Sequence, residues 1–196
     1  KAMEDKKRAR SIKKDEQSGA TVEDEGSSKK VQDILRRRRH LVLLAQNQTG
    51  LNNLFKLVSE SYQPENFYRY PRIDYALLKK YNEGIIAASA CLGGVYAGNY
   101  WENREEGDEA VLNAMSETTE KMVDIFGDRW YAEIQWNNVE DQHKLNQYII
   151  QTAQKHNVKL LSTADSHYPD PEAWRDRELY TRLGWLGKGG LPDYME

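Results

Sequence analysis

Among the side chains able to hold a cation or move a proton, five stand out by their positions: His40, Cys91, Glu133, Asp165 and His167. Asp165-Ser166-His167 is an acid-x-histidine pair. In extended chain, residues two apart point to the same side. A carboxylate and an imidazole could then reach one ion, a mixture that zinc, manganese or iron accepts. The plainer alternative is a helix-capping aspartate beside a surface histidine. Cys91 is either a thiolate ligand or, as buried free cysteines usually are, a small hydrophobe. His40 follows four arginines and is either a ligand or a surface residue. Glu133 sits mid-strand between Ala132 and Ile134. Pointing inward it would need a partner; otherwise it faces water. His143 and His156 lie among polar helical neighbours and are expected to face solvent.

Other chemistries have weaker support. Gly93-Gly94 ahead of a helix could cradle phosphate through backbone N–H groups. The sequence has no Gly-x-x-x-x-Gly-Lys-Ser/Thr run and no serine in a nucleophile-elbow pattern. Any hydrolysis would therefore be metal-assisted.

The elements that must position these residues are legible as alternation. His40–Ala45 is a continuous apolar run of strand length, the kind buried on both faces. Asn47 or Thr49 can cap a following helix with Leu51, Leu54, Phe55, Leu57 and Val58 at helical spacing. A Tyr- and Pro-rich loop covers 63–72, and a short helix 74–81 follows, with Leu77 and Leu78 inward. Gly84–Ala90 predicts a second buried strand, and Cys91–Gly94 a tight turn. Helices are predicted near 95–101 and 108–126, the latter with Val111, Met115, Met122 and Ile125 apolar. A third strand covers 129–135 and a helix 139–156, with Leu145, Tyr148, Ile149 and Thr152 inward. A fourth strand covers 158–162, a loop 163–169 and a last helix 171–183. Strand then helix, four times over, predicts an α/β fold with parallel strands. Ligands in such folds bind beyond the carboxyl ends of strands. Cys91 follows the second strand and Asp165 and His167 follow the fourth, but His40 opens the first and escapes this rule.

Composition bounds the rest. Hydrophobic residues are 39% and charged residues 30% of the 196, a polar globular balance. No run approaches a membrane span, and no signal peptide is visible. One cysteine excludes an internal disulfide framework and fits a reducing cytoplasm. Net charge is -3, yet residues 1–39 carry 13 Lys and Arg against 8 Asp and Glu. A basic arm could touch nucleic acid; the alternative is a solvated linker, since the arm lacks aromatic residues for base stacking. Residues 1–30 cannot bury enough apolar surface to order themselves and are expected to be a disordered or inserted arm. Residues 31–39 could form a short basic helix. One structured domain, or a large piece of one, is expected over 31–183, with 184–196 an unassigned tail.

Four blocks carry a family resemblance. "HLVLLAQNQTG" from His40, followed by "LNNLFKLVSESY", resembles "HL-LLA-N-TG--NL-KL-S--Y" of the polymerase-and-histidinol-phosphatase (PHP) domain in bacterial replicative polymerases of the DNA polymerase III alpha type. "YPRIDYALLKKYNEGIIAASACLGG" is similar to "PRID--LL----EGLI--SACLGG", "DRWYAEIQ" to "--FYLE-Q", and "VKLLSTADSHY" to "-PLVATNDVHY". The blocks run in family order from Arg39 to about Tyr180. The resemblance implies an incomplete (β/α)7-type barrel and up to three divalent metal ions: zinc, manganese or magnesium. It also implies that His40, Cys91, Asp165 and His167 are metal ligands. The family's earlier His-x-His pair and its further Asp, His and Glu ligands have no counterpart here, so the chain is expected to be a fragment beginning after them. Ala164 replaces the usual Asn, while the ligand pair beside it is kept.

The resemblance further implies a parent DNA-directed DNA polymerase whose partners are DNA, deoxynucleoside triphosphates and replisome subunits, with no membrane. This domain could then remove mismatched 3′ nucleotides, although the chain alone is expected to be inactive. The rivals are a free-standing phosphoesterase of the same superfamily and a non-catalytic replisome scaffold.

Overall fold

The structure, a computed structural model, describes residues 38–67 and 69–185. Among the described residues four strands and six α-helices follow one another: β1 (Val42–Ala45), α1 (Gln48–Ser61), α2 (Tyr75–Lys80), β2 (Ile85–Ala88), α3 (Val95–Asn103), α4 (Asp108–Phe126), β3 (Trp130–Gln135), α5 (Glu140–His156), β4 (Lys159–Thr163) and α6 (Trp174–Trp185). These bounds track the alternation expected from the sequence closely. The expected arm at 1–30 lies outside the described residues. So does most of the basic helix at 31–39, of which Arg38 and Arg39 are non-helical. The expected tail at 184–196 is described as far as Trp185, which still belongs to α6.

The chain divides into two compact units, with the division inside α1 between Leu57 and Val58. In the described part of the smaller unit, Arg38, 58–67 and 69–73, the Arg38 guanidinium stacks 3.7 Å above the Tyr70 ring. Asn66 Nδ2 donates to the Glu60 carbonyl at 2.9 Å. The larger unit, from Arg39 to Leu57 and from Asp74 onward, carries the sheet and every candidate site residue.

Strand order is β1-β2-β3-β4. β2, β3 and β4 run parallel, as expected, with Ala88 beside Tyr131 and Glu133 beside Leu161. β1 overturns the expectation, for it pairs antiparallel to β2, Val42 against Ala88 and Ala45 against Ile85. The chain leaves β1 and re-enters β2 at the same end of the sheet. Gln46 N–H donates to the Gly84 carbonyl at 2.8 Å, and a Cβ on Gly50 would lie 1.8 Å from that same oxygen. A return to the end just left gives an antiparallel neighbour, a frequent arrangement for the edge strand of a parallel sheet. The edge position also means that β1 is not buried on both faces, and Leu44 is 55% exposed.

Local chemistry sets the helix ends. Asn47 Oδ1 accepts the Gly50 N–H at 2.9 Å, so Asn47 rather than Thr49 closes the first turn of α1. Asp74 Oδ1 does the same for Leu77 N–H in α2. α4 opens on Asp108 and Glu109, facing its positive dipole end. It stops at Gly127, whose φ of 58° lies where side chains are strained. α5 ends on Asn157 in the left-handed region.

The core lies between the sheet and α3, α4 and α5. Ile85, Trp130, Tyr96, Met115, Met122, Phe126, Leu145 and Ile149 are fully buried there. Val111, Met115, Met122 and Ile125 face inward on α4, as their spacing predicts. The buried polar atoms form a directed chain. Trp130 Nε1 donates to the Tyr96 hydroxyl at 3.1 Å, which donates to Thr119 Oγ1 at 2.7 Å, which donates to the Met115 carbonyl at 2.7 Å. Each would otherwise pay the desolvation cost of an unmade bond. The apolar positions of α1 behave differently, since Leu57 is buried while Leu51 and Phe55 are exposed.

Candidate metal-ligand site at the strand carboxyl ends

The antiparallel edge explains the placement that sequence alone left open. The start of β1 lies beside the carboxyl end of β2, and the His40 N–H donates to the Gly93 carbonyl at 2.8 Å. His40 Nδ1 therefore stands 3.4 Å from Cys91 Sγ, across 51 residues of sequence. The His40 ring also packs close to Gly93. A Cβ there would come within 3.0 Å of Nδ1 and 3.1 Å of Cε1. Gly93 thus clears the space that the imidazole occupies.

The turn that presents the thiol is tightly tied. Gly94 N–H donates to the Cys91 carbonyl at 2.7 Å, and Gly93 N–H reaches Cys91 Sγ at 3.5 Å. Trp101 Nε1, one helix away, donates to the Leu92 carbonyl at 3.0 Å. Gly94 has no room for a side chain, whose Cβ would meet the Ser89 carbonyl oxygen at 2.1 Å. Ala90, just before Cys91, takes a φ of 63°. That conformation costs an alanine about 1 kcal/mol or more. Gly98 on α3 receives the Arg39 side chain, which pairs with Glu102.

Asp165 and His167 follow β4, as expected, and both are exposed. Asp165 has a φ of 50°, and His167 Nδ1 lies 2.6 Å from the Asp165 backbone carbonyl. A carbonyl only accepts, so Nδ1 carries the proton and donates. In neutral imidazole this leaves the lone pair on Nε2, the tautomer that metal-ligating histidines usually adopt through such a bond.

The fold thus brings the His40 and Cys91 side chains together and ties His167 to the Asp165 backbone, rather than gathering the four side chains into one cluster. Among the described residues no group of three or more His, Cys, Asp or Glu side chains is close enough to hold an ion together. The donor chemistry nevertheless fits a divalent cation. A thiolate and an imidazole on one tetrahedral zinc stand about 3.6 Å apart, and 3.4 Å lies within the usual tolerance of that value. His143 is exposed as expected. His156 is not fully so: it is half-buried, and its Nε2 is closed off without a partner among the described residues.

The residue whose role the sequence left most open is Glu133. It points inward and is 5% exposed. Its Oε1 accepts from Thr163 Oγ1 at 2.6 Å and from Gln135 Nε2 at 3.2 Å, and its Oε2 accepts the Ala90 N–H at 3.1 Å. The only sequence signal was a carboxylate in mid-strand between Ala132 and Ile134, with its direction left open.

Comparison with known proteins identifies the fold's class. Residues 9–137 match the PHP domain, and the chain belongs to that family. The particular proteins it resembles are DNA polymerase III alpha subunits. It is 45% identical to that of Aquifex aeolicus over 144 residues, 74% of this chain and 12% of the relative. It is 38% identical to that of Thermus aquaticus over 140 residues, 71% of this chain and 11% of the relative. The Borreliella burgdorferi subunit is 35% identical over 157 residues, 80% of this chain and 13% of the relative. The chain therefore spans about an eighth of the length of these relatives. Among the described residues no helix is long and apolar enough to cross a membrane.

Proposed function

We propose that this chain is part of the PHP domain of a replicative DNA-directed DNA polymerase, and that it contributes ligands to a divalent metal centre serving 3′–5′ removal of mismatched nucleotides. The parent polymerase would act on DNA and deoxynucleoside triphosphates with other replisome subunits, in the cytoplasm. The observation that carries the metal reading is the His40–Cys91 pair at 3.4 Å, held at the carboxyl end of β2 by backbone that leaves no room for other side chains. The similarity to DNA polymerase III alpha subunits supports the polymerase over a free-standing phosphoesterase.

His40 and Cys91 would hold one ion between imidazole nitrogen and sulfur, a donor set suited to zinc. Asp165 and His167 would offer oxygen and Nε2 from the loop after β4, a set that manganese also accepts. A divalent ion so held supplies positive charge to the scissile phosphate and lowers the pKa of bound water. The chain's own part is placement. Gly93 seats the imidazole, the Gly94 turn aims the sulfur, and the Asp165 carbonyl fixes the His167 tautomer.

Metal analysis of the full-length protein tests this reading. Cys91→Ser, His40→Ala and Asp165→Asn should each weaken zinc or manganese binding by about tenfold or more. The full-length protein should shorten a 3′-mismatched primer in a metal-dependent way, and the 196-residue chain by itself should not. Undiminished metal content in all three variants would refute ligation by these residues. Turnover by the isolated chain would refute its dependence on further ligands.

A further inference from the structure

We propose that Glu133 is a positioning residue that locks the Cys91 turn and the Asp165–His167 loop into one fixed relation across β3. The inference rests on the metal-ligand reading of those two loops. Cys91 and Asp165 follow strands that do not pair with each other, because β3 lies between β2 and β4. Their relative position must therefore pass through β3 or be left to loops. Glu133 supplies the link on its side chain. One oxygen takes the Ala90 N–H, one residue before the thiol, and the other takes the Thr163 hydroxyl, two residues before Asp165.

Several features separate this carboxylate from an ordinary buried polar residue. All three donors that reach it, a backbone N–H, a hydroxyl and an amide, suit an acceptor-only group. Gln135 keeps Nε2 on Glu133 although its own Oε1 is buried without a partner among the described residues. Leaving an acceptor unmet is costly, so the bond to Glu133 dominates the local arrangement. Ala90 carries a φ of 63°, and its N–H is the atom that Glu133 takes. The carboxylate thus holds the strained residue that swings Cys91 out of β2 toward His40. From the other side, the Glu133 N–H donates to Ser89 Oγ at 2.8 Å, so backbone and side chain of one residue both grip the end of β2.

Such a link acts through the ligands and does not itself touch an ion. Supporting residues of this kind typically cost 10–100-fold in metal affinity when changed. The test uses the full-length protein loaded with cobalt(II), whose sulfur-to-metal charge-transfer band reports the Cys91 bond. Wild type should show the band and Cys91→Ser should lose it. Glu133→Gln turns one acceptor into a donor facing the Ala90 N–H or the Thr163 hydroxyl. It should lower cobalt and zinc affinity by about 10–100-fold and alter the cobalt d–d spectrum, with far-ultraviolet circular dichroism unchanged. Thr163→Val, nearly isosteric, breaks the β4 half of the link alone. It should shift affinity in the same direction, and Thr163→Ser should restore it; this series decides the matter should Glu133→Gln fail to fold. Folded Glu133→Gln or Thr163→Val protein with wild-type affinity and spectrum overturns the positioning role while leaving the ligand reading intact. A wild type without the band, binding no better than Cys91→Ser, overturns the ligand reading and this inference with it.

Discussion

At the scale of single residues, the fold gives unlike duties to groups of similar chemistry. Asp165 offers its backbone oxygen to His167, Asp74 and Asn47 close helix turns, and Glu133 ties two strands together. Tyr148 is a case with a measurable consequence. Its hydroxyl donates to Asp108 Oδ1 at 2.6 Å, and that bond, ahead of desolvation and the nearby charge, pushes its pKa from 10.0 up to about 12. The raised value means that the folded chain keeps the proton after an unfolded tyrosine has lost it. The stabilisation is complete below pH 10.0 and fades as pH rises through about 12. The pair lies near the surface, so the contribution is small. Tyr148→Phe should lower the neutral thermal midpoint slightly and flatten its fall over that alkaline window, so that the two curves converge as pH rises through about 12. An alkaline profile identical to wild type would show that Asp108 does not hold the proton.

At the scale of elements, the strands and helices were largely legible, because burial leaves its period in the sequence. Val111, Met115, Met122 and Ile125 predicted the inner face of α4, and the apolar runs predicted each strand. Direction was not legible. An apolar run such as His40–Ala45 reads alike for either orientation, and only the contact of Gln46 and Gly50 with Gly84 makes β1 antiparallel. The same blindness hid the His40–Cys91 pair, since strand direction decides which end of β1 meets the turn. Acid-x-histidine spacing revealed the types of Asp165 and His167 and nothing of their distance from the other pair. Glu133 could be seen as a mid-strand carboxylate facing either inward or to water, because the partners that settle its direction, Ala90 after β2 and Thr163 of β4, are distant in sequence. The Asn47 cap allows a direct check. Asn47→Ala should destabilise the chain by about 1 kcal/mol in a denaturant titration, whereas Thr49→Ala should have much less effect. Equal losses would return the cap to the choice that sequence left open.

At the scale of the whole molecule, four strands and six helices among the described residues form one sheet with its core on α3, α4 and α5, and the candidate ligands lie at strand ends. The core residue Met115 is fully buried against this arrangement. Met115→Ala should cost about 2–5 kcal/mol in a denaturant titration, a loss under 1 kcal/mol implying a looser interior. The reversed edge strand also gives the chain a built-in chemical clock. His40 stands over the sulfur only while β1 stays zipped to β2, and a four-residue edge is where a sheet first frays. With one cysteine in the sequence, and that thiol partly exposed, loss of the His40 contact when the edge frays should register as a change in the alkylation rate of Cys91.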